Sequence, residues 1–107
     1  KEGWINNIAT DHAPHSKEEK TASNVWDAAC GFTGVETFLP LMLNEVNKGK
    51  LSLEELVRLS SEEPAKIWNI YPRKGALQIG SDADLVLVDM GKIMIRTEEK
   101  SSSCSRK

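Results

Sequence analysis

The stretch "WINNIATDHAPH", residues 4–15, places one aspartate and both histidines of the chain directly after a short apolar run. Ile5 and Ile8 anchor a predicted short strand that ends at Asp11, because Pro14 prevents a regular continuation. An aspartate at the carboxyl end of a strand is where (β/α)8 enzymes carry catalytic groups, and such a carboxylate can bind a metal ion or move a proton. The same pattern also fits a plain turn in which the aspartate caps backbone amides, so spacing alone leaves both interpretations open.

A polar loop over residues 16–29 and a glycine-containing turn, "GFTG", at residues 31–34 separate this strand from a predicted helix. Apolar residues recur at three- and four-residue steps from Val35 onward, which indicates an amphipathic helix. Pro40 lies inside the pattern and moves the predicted start towards Phe38, so that the proline falls in the first turn. The pattern predicts an end of the helix at Asn47 and Gly49.

Two further helices are predicted from their start signals. Ser52 followed by Glu55 forms a capping box, and Ser60 followed by Glu63 repeats the device. Pro64 then falls in the first turn of the last helix, where a missing N–H is tolerated. The residues predicted to face inward are Leu53, Leu56, Val57 and Leu59 in the first of these helices, and Ala65, Ile67, Trp68 and Ile70 in the second.

The four consecutive apolar residues at 85–88, "LVLV", predict a strand buried on both faces. The order is therefore strand, loop, three helices and strand. Two lone strands at opposite ends of a chain do not make a stable sheet. We therefore expect their partners to come from another part of a longer polypeptide or from another chain, which agrees with a sequence that begins without Met.

Composition excludes several classes of partner. The chain has 107 residues, of which 39% are hydrophobic and 28% charged, with a formal net charge of −2. We expect no nucleic acid partner, because the sequence has no basic stripe, and no membrane span, because no apolar run approaches about 20 residues. Cys30 and Cys104 lie in unrelated contexts, so no structural disulfide is predicted and a reducing cytoplasm is the expected location.

The stretch "ATDHAPHSKEEK", residues 9–20, resembles the signature of dihydroorotases in the cyclic amidohydrolase superfamily. The resemblance continues through "GFTGVETFLPLML", "LSLEELVRLSSEEPAKIWNIYPRKGAL" and "GSDADLVLVD", and it covers residues 8–89 in order. It implies an α/β fold, namely the C-terminal portion of a (β/α)8 metal-dependent hydrolase barrel plus a strand of an accessory β-sandwich. On this interpretation residues 1–72 hold the last barrel strand and the following helices, residues 73–96 belong to the sandwich, and residues 97–107 are a disordered tail.

The resemblance also implies roles for individual residues. Asp11 matches the catalytic aspartate, which is both a metal ligand and the group that moves a proton to the leaving nitrogen. His15 matches a histidine that holds the substrate carboxylate, and the backbone at Cys30 and Gly31 matches the segment that hydrogen-bonds the substrate ring. The loop before Gly31 departs from the family pattern in its length and at Cys30. His12 is expected to support the site, and Cys30 is not expected to be a nucleophile, because no histidine is placed to activate it.

The implied cofactor is Zn²⁺, one or two ions in the complete enzyme. The other metal ligands of the family have no counterpart in this chain, so we expect the chain alone neither to bind zinc tightly nor to turn over substrate. The implied reaction is the reversible ring opening of dihydroorotate to carbamoyl aspartate in pyrimidine biosynthesis. A hydantoinase, dihydropyrimidinase or allantoinase type of cyclic amidase and a non-catalytic barrel remnant remain as alternatives. The expected partners are a small cyclic amide, the remaining part of the barrel or a second copy of the chain, and a homo-oligomeric parent.

Overall fold

A computed structural model of the chain describes residues 3–92, and their regular structure is helical. The helices are α1 (Lys17–Lys20), α2 (Val35–Asn47), α3 (Leu53–Val57) and α4 (Glu63–Ile67), with a π-helical turn (Arg58–Glu62) between α3 and α4. No helix within residues 3–92 is long and apolar enough to cross a membrane. The C-terminal part of the predicted sandwich segment, the predicted tail at residues 97–107 and Cys104 lie outside the described residues.

Helix α2 starts at Val35, one turn earlier than the predicted start near Phe38, and Pro40 lies inside it. The Phe38 N–H already donates to the Gly34 carbonyl at 2.9 Å, so the first turn forms ahead of the proline. The predicted end at Asn47 is confirmed. Gly49 follows with φ +71°, a left-handed conformation that glycine adopts without strain, and its N–H donates to the carbonyl of Val46.

Helix α3 begins with the predicted capping box. Ser52 Oγ accepts from the Glu55 N–H at 3.1 Å, and Glu55 Oε2 accepts from the Ser52 N–H at 3.0 Å. The second predicted capping box is wrong. Ser60 Oγ instead donates to the carbonyl of Leu56 at 2.7 Å, because the helix does not stop there and the hydroxyl reaches back one turn.

The π-helical turn carries the chain from α3 into α4. The Glu63 N–H donates five residues back to the carbonyl of Arg58, and Pro64 follows without an N–H. Neither residue therefore donates to the carbonyl of Leu59. That carbonyl accepts instead from the N–H of Ile8 at 3.1 Å, three residues before Asp11.

The described residues fall into two compact units: residues 3–9 with 42–92, and residues 10–41. In the first unit, Gly75 packs against α4 with φ +77°, and a Cβ placed on it would lie 2.7 Å from the Cβ of Ala65. Lys74 forms ion pairs with Asp82, at 2.9 Å, and with Asp84. These contacts hold residues 74–84 as a structured loop beside the helix.

The two predicted strands, at residues 4–10 and 85–88, carry no strand structure, and residues 3–92 contain one isolated parallel bridge between His12 and Phe32. The physical reason is the one that the sequence indicated, since a strand needs a partner and the described residues offer none to either segment. Leu87 is fully exposed as a result. The predicted inward-facing residues are buried only in part: Leu56, Leu59 and Ala65 are buried, whereas Leu53, Val57, Ile67, Trp68 and Ile70 are exposed.

Candidate functional site

Asp11 lies in the second unit with a backbone φ of +45° and an exposed side chain. Left-handed backbone is uncommon for residues other than glycine, and aspartate is among the few that tolerate it. Such conformations occur at sites where the surrounding structure holds the chain in place. The predicted catalytic carboxylate therefore stands on a left-handed backbone residue and is open to solvent.

The turn at Gly31–Gly34 lies directly against the chain on both sides of Asp11. Gly31 has φ +107°, and a Cβ placed on it would lie 2.4 Å from the Cβ of Ala13. A Cβ placed on Gly34 would likewise lie 2.8 Å from the Cβ of Thr10. Only residues without a side chain allow this approach, which accounts for both glycines of the "GFTG" motif.

Hydrogen bonds fix the two segments together. The Ala13 N–H donates to the carbonyl of Phe32 at 2.9 Å. His12 Nδ1 accepts from the N–H groups of Gly34 and Val35, at 2.9 and 3.2 Å. His12 thus accepts hydrogen bonds from two N–H groups at the start of α2 that have no acceptor inside the helix, so it acts as a helix cap. His12 was expected to support the site, and in the described structure its contact is with the start of α2.

His15 pairs with Glu19 rather than with Asp11. Its Nδ1 lies 3.5 Å from Glu19 Oε2, and the histidine side chain is one third exposed. Ser16 and Glu19 form a capping box for α1. The hydrogen bond that the Ser16 N–H donates to the Glu19 carboxylate, together with the nearby His15, lowers the pKa of Glu19. The "SKEE" sequence carries the signal for this short helix, which lies within the predicted polar loop at residues 16–29.

Gly31, in the predicted substrate-binding segment, is held by Lys20, for which the sequence predicts no role. Lys20 Nζ donates to the carbonyl of Gly31 and lies 4.9 Å from the centre of the Phe32 ring, within cation–π range. Cys30 is exposed and carries a free thiol. The segment of Cys30 and Gly31 is therefore tied to α1 through Lys20 and lies next to the residues that flank Asp11.

The described residues do not form a zinc site by themselves. Zinc sites in proteins use three or four ligands drawn from His, Cys, Asp and Glu. Within residues 3–92 no three such side chains lie close enough to hold a metal ion. His12 Nδ1 is engaged at the start of α2 and His15 Nδ1 lies against Glu19, whereas the side chain of Asp11 is exposed.

Comparison with known proteins matches nearly the whole chain. The profile of the amidohydrolase family matches residues 1–106. L-hydantoinase from Paenarthrobacter aurescens is 52% identical over 91 residues, which are 82% of this chain and 20% of that protein. Dihydroorotase from Methanosphaera stadtmanae is 50% identical over 94 residues, which are 85% of this chain and 21% of that protein. The chain thus spans about a fifth of the length of the curated relatives that it matches.

The solved structures agree with the sequence matches. The chain superposes on L-hydantoinase (dihydropyrimidinase) from Arthrobacter aurescens with a TM-score of 0.70 at 52% identity. The match covers 76% of this chain and 19% of that one. The resemblance that the sequence motifs indicated is confirmed by both kinds of comparison.

Proposed function

The chain belongs to the amidohydrolase family, and on that premise we propose that it forms the C-terminal part of a zinc-dependent cyclic amidohydrolase, a dihydroorotase. The observation that carries the proposal is the placement of Asp11. Its exposed carboxylate stands in left-handed backbone beside the closely packed turn at Gly31–Gly34. The chain is also 50% identical to a dihydroorotase over most of its length.

The proposed reaction is the reversible opening of dihydroorotate to carbamoyl aspartate. Water adds to the ring amide: its oxygen goes to the carbonyl carbon, the carbon–nitrogen bond breaks, and the nitrogen receives a proton. We assign the proton transfer to Asp11, because a positioned carboxylate is suited to general acid–base work. We assign to the backbone of Cys30 and Gly31 the hydrogen bonds that hold the ring.

The complete enzyme would supply what the described residues lack. Since no three ligand side chains lie together within residues 3–92, we propose that the other zinc ligands come from parts of the enzyme outside this chain. In the same way, we propose that residues 4–10 become the last strand of the barrel and residues 85–88 a strand of the accessory sandwich once neighbouring strands are present. A reducing cytoplasm is the proposed location, in which the exposed Cys30 would stay reduced.

His15 is the residue from which we infer the charge of the substrate. An imidazole N–H donor in this segment would favour an acidic cyclic amide such as dihydroorotate over a neutral one. In the described structure this ring pairs with Glu19 instead, so we propose that a substrate carboxylate takes the place of Glu19 as its partner. A hydantoinase type of substrate is the second candidate, favoured by the 52% identity to L-hydantoinase.

The experiment is an assay of the complete enzyme with dihydroorotate, dihydrouracil, hydantoin and allantoin. We expect turnover of dihydroorotate with the highest kcat/KM. Cleavage of hydantoin or dihydrouracil without dihydroorotate would replace the first candidate with the second. If a homogeneous, zinc-loaded preparation turned over none of the four, the chain would instead be a non-catalytic relative that serves in assembly.

A further inference from the structure

His12 links the backbone that carries Asp11 to the start of helix α2. Its Nδ1 accepts from the Gly34 N–H at 2.9 Å and from the Val35 N–H at 3.2 Å, and the ring is half-buried. A nitrogen that accepts two N–H bonds carries no proton. Nδ1 is therefore the acceptor of the ring at this place, with its lone pair directed at the two amides.

The link acts at a point where the chain is held on several sides. The Ala13 N–H donates to the carbonyl of Phe32 immediately after His12, and Thr10 packs against Gly34 immediately before Asp11. Asp11 lies between these contacts with φ +45°. A conformation of this kind persists when its surroundings determine it, and the His12 side chain joins this segment to backbone 22 residues further along the sequence.

We propose that His12 is a positioning residue of the amidohydrolase site: its Nδ1, held by the Gly34 and Val35 amides, sets the place of Asp11 relative to the backbone of Cys30 and Gly31. This inference rests on the proposed function, because it concerns the distance between the proton-transferring carboxylate and the segment that holds the ring. Catalytic groups must be held in a narrow range of geometry, and a displacement of about 1 Å can cost on the order of 100-fold in rate.

The chemistry of the link selects the variants. In asparagine, Oδ1 is bonded to Cγ just as Nδ1 is in histidine, so His12→Asn keeps an acceptor in nearly the same position. Glutamine places its acceptor one bond further out, and alanine removes it. Ser52→Ala is the matched control, because it removes a side-chain cap from the start of α3, in the other compact unit.

The experiment compares His12→Ala, His12→Asn, His12→Gln and Ser52→Ala in the complete enzyme. We expect His12→Ala to lower kcat/KM roughly 10- to 100-fold, with a fall in kcat as well as a rise in KM. His12→Asn should restore most of this loss, His12→Gln little of it, and Ser52→Ala should leave kcat/KM unchanged. Thermal midpoints and the fraction of folded enzyme are measured for all four, so that activity is expressed per folded molecule.

A second measurement addresses the hydrogen bonds directly. Hydrogen exchange at the amides of Gly34 and Val35 should accelerate in His12→Ala and return towards the wild-type rate in His12→Asn. An unchanged kcat/KM per folded molecule in His12→Ala, or no recovery in His12→Asn, would overturn the inference while leaving the enzyme assignment intact. If the wild-type enzyme cleaves no cyclic amide, the proposed function fails first, and unaltered exchange would show that the link itself is absent.

Discussion

Gly31 approaches Ala13 so closely that a Cβ atom on the glycine would lie 2.4 Å from the Cβ of the alanine. In Gly31→Ala the new side chain would be strained by the positive φ and would also push the two segments apart. We expect a loss in the free energy of unfolding of about 1–3 kcal/mol from the overpacking alone. Gly49→Ala is the control, since Gly49 also has positive φ but no atom within 4 Å of a Cβ. Chemical denaturation measures both, and equal losses would refute a steric role for Gly31.

Replacement of Asp11 by asparagine tests the proton transfer. Asparagine has nearly the same size as aspartate and tolerates left-handed backbone, so the fold should be retained. We expect kcat of the complete enzyme to fall by about 10²- to 10⁴-fold, the usual contribution of a general acid–base group. Asp27→Asn removes an equal charge from an exposed position in the same unit and should leave kcat unaltered. Retention of wild-type activity in Asp11→Asn would remove Asp11 from the mechanism.

Zinc affinity should differ between the chain and the complete enzyme. Within residues 3–92 Asp11 has no neighbouring pair of ligands, so its carboxylate would have to hold the ion alone, which is too little for tight binding. Isothermal titration of the isolated chain should give an affinity weaker than micromolar and no difference between wild type and Asp11→Asn. Sub-micromolar binding by the isolated chain, lost in Asp11→Asn, would show a complete site that the described residues do not contain.

The pH dependence of stability should reveal Glu45. Hydrogen bonds from Lys48 and Lys50, at 2.8 and 2.7 Å, lower the pKa of Glu45 from 4.5 to about 2. A carboxyl group with a lowered pKa in the folded state stabilises the fold above its unfolded pKa, and the contribution fades as pH falls. The stability difference between wild type and Glu45→Gln should therefore be full above about pH 4.5 and shrink towards pH 2.

Added salt provides the control for that measurement. The two ion pairs lie at the surface, so salt at constant pH should reduce the same difference by screening. Denaturant titrations of both variants across this pH range supply the data. A stability difference that stays constant down to pH 2 would mean that the lysines do not hold the carboxylate in solution.

The isolated chain should associate, because large apolar side chains such as Trp68 and Leu87 are exposed in the described structure. Exposed apolar surface beyond a few hundred Å² usually marks a contact with another chain or segment. Sedimentation velocity should show a sedimentation coefficient that rises with concentration. Leu87→Ser should weaken the effect, whereas Gln78→Ser, at a polar exposed position, should not. A monomer at all concentrations that unfolds in one sharp transition would contradict the prediction.

Local signals predicted local structure well and tertiary contacts poorly. The capping box at Ser52 and the stop at Gly49 follow from interactions within a few residues, and both are confirmed. Ser60 has the same signature as Ser52, yet its hydroxyl bonds back to Leu56, because the preceding helix was already in place to accept it. Apolar periodicity shows which face of a helix is apolar but not what covers it, which is why Trp68 was predicted to be inward-facing and is exposed.

In the candidate site too, some features could be predicted from the sequence and others could not. Asp11 could be singled out as a candidate from the family resemblance, and the two glycines of the turn from their own conformational freedom. The partners of His12 and Lys20 could not be predicted, since each contacts backbone more than ten residues away. Nothing in the identity of a histidine or a lysine specifies which distant amide or carbonyl it will meet.

The proline of helix α4 has an effect outside its own helix. Since Pro64 has no N–H and Glu63 donates to Arg58, the Leu59 carbonyl remains available to the Ile8 N–H. Any other residue at position 64 would bring a competing donor to that oxygen from inside the helix. A substitution that looks favourable by helix propensity would thus loosen the segment leading to Asp11. The carbonyl that receives no hydrogen bond inside the helix is the one that binds the Ile8 N–H. A change at position 64 therefore also affects the segment at Ile8.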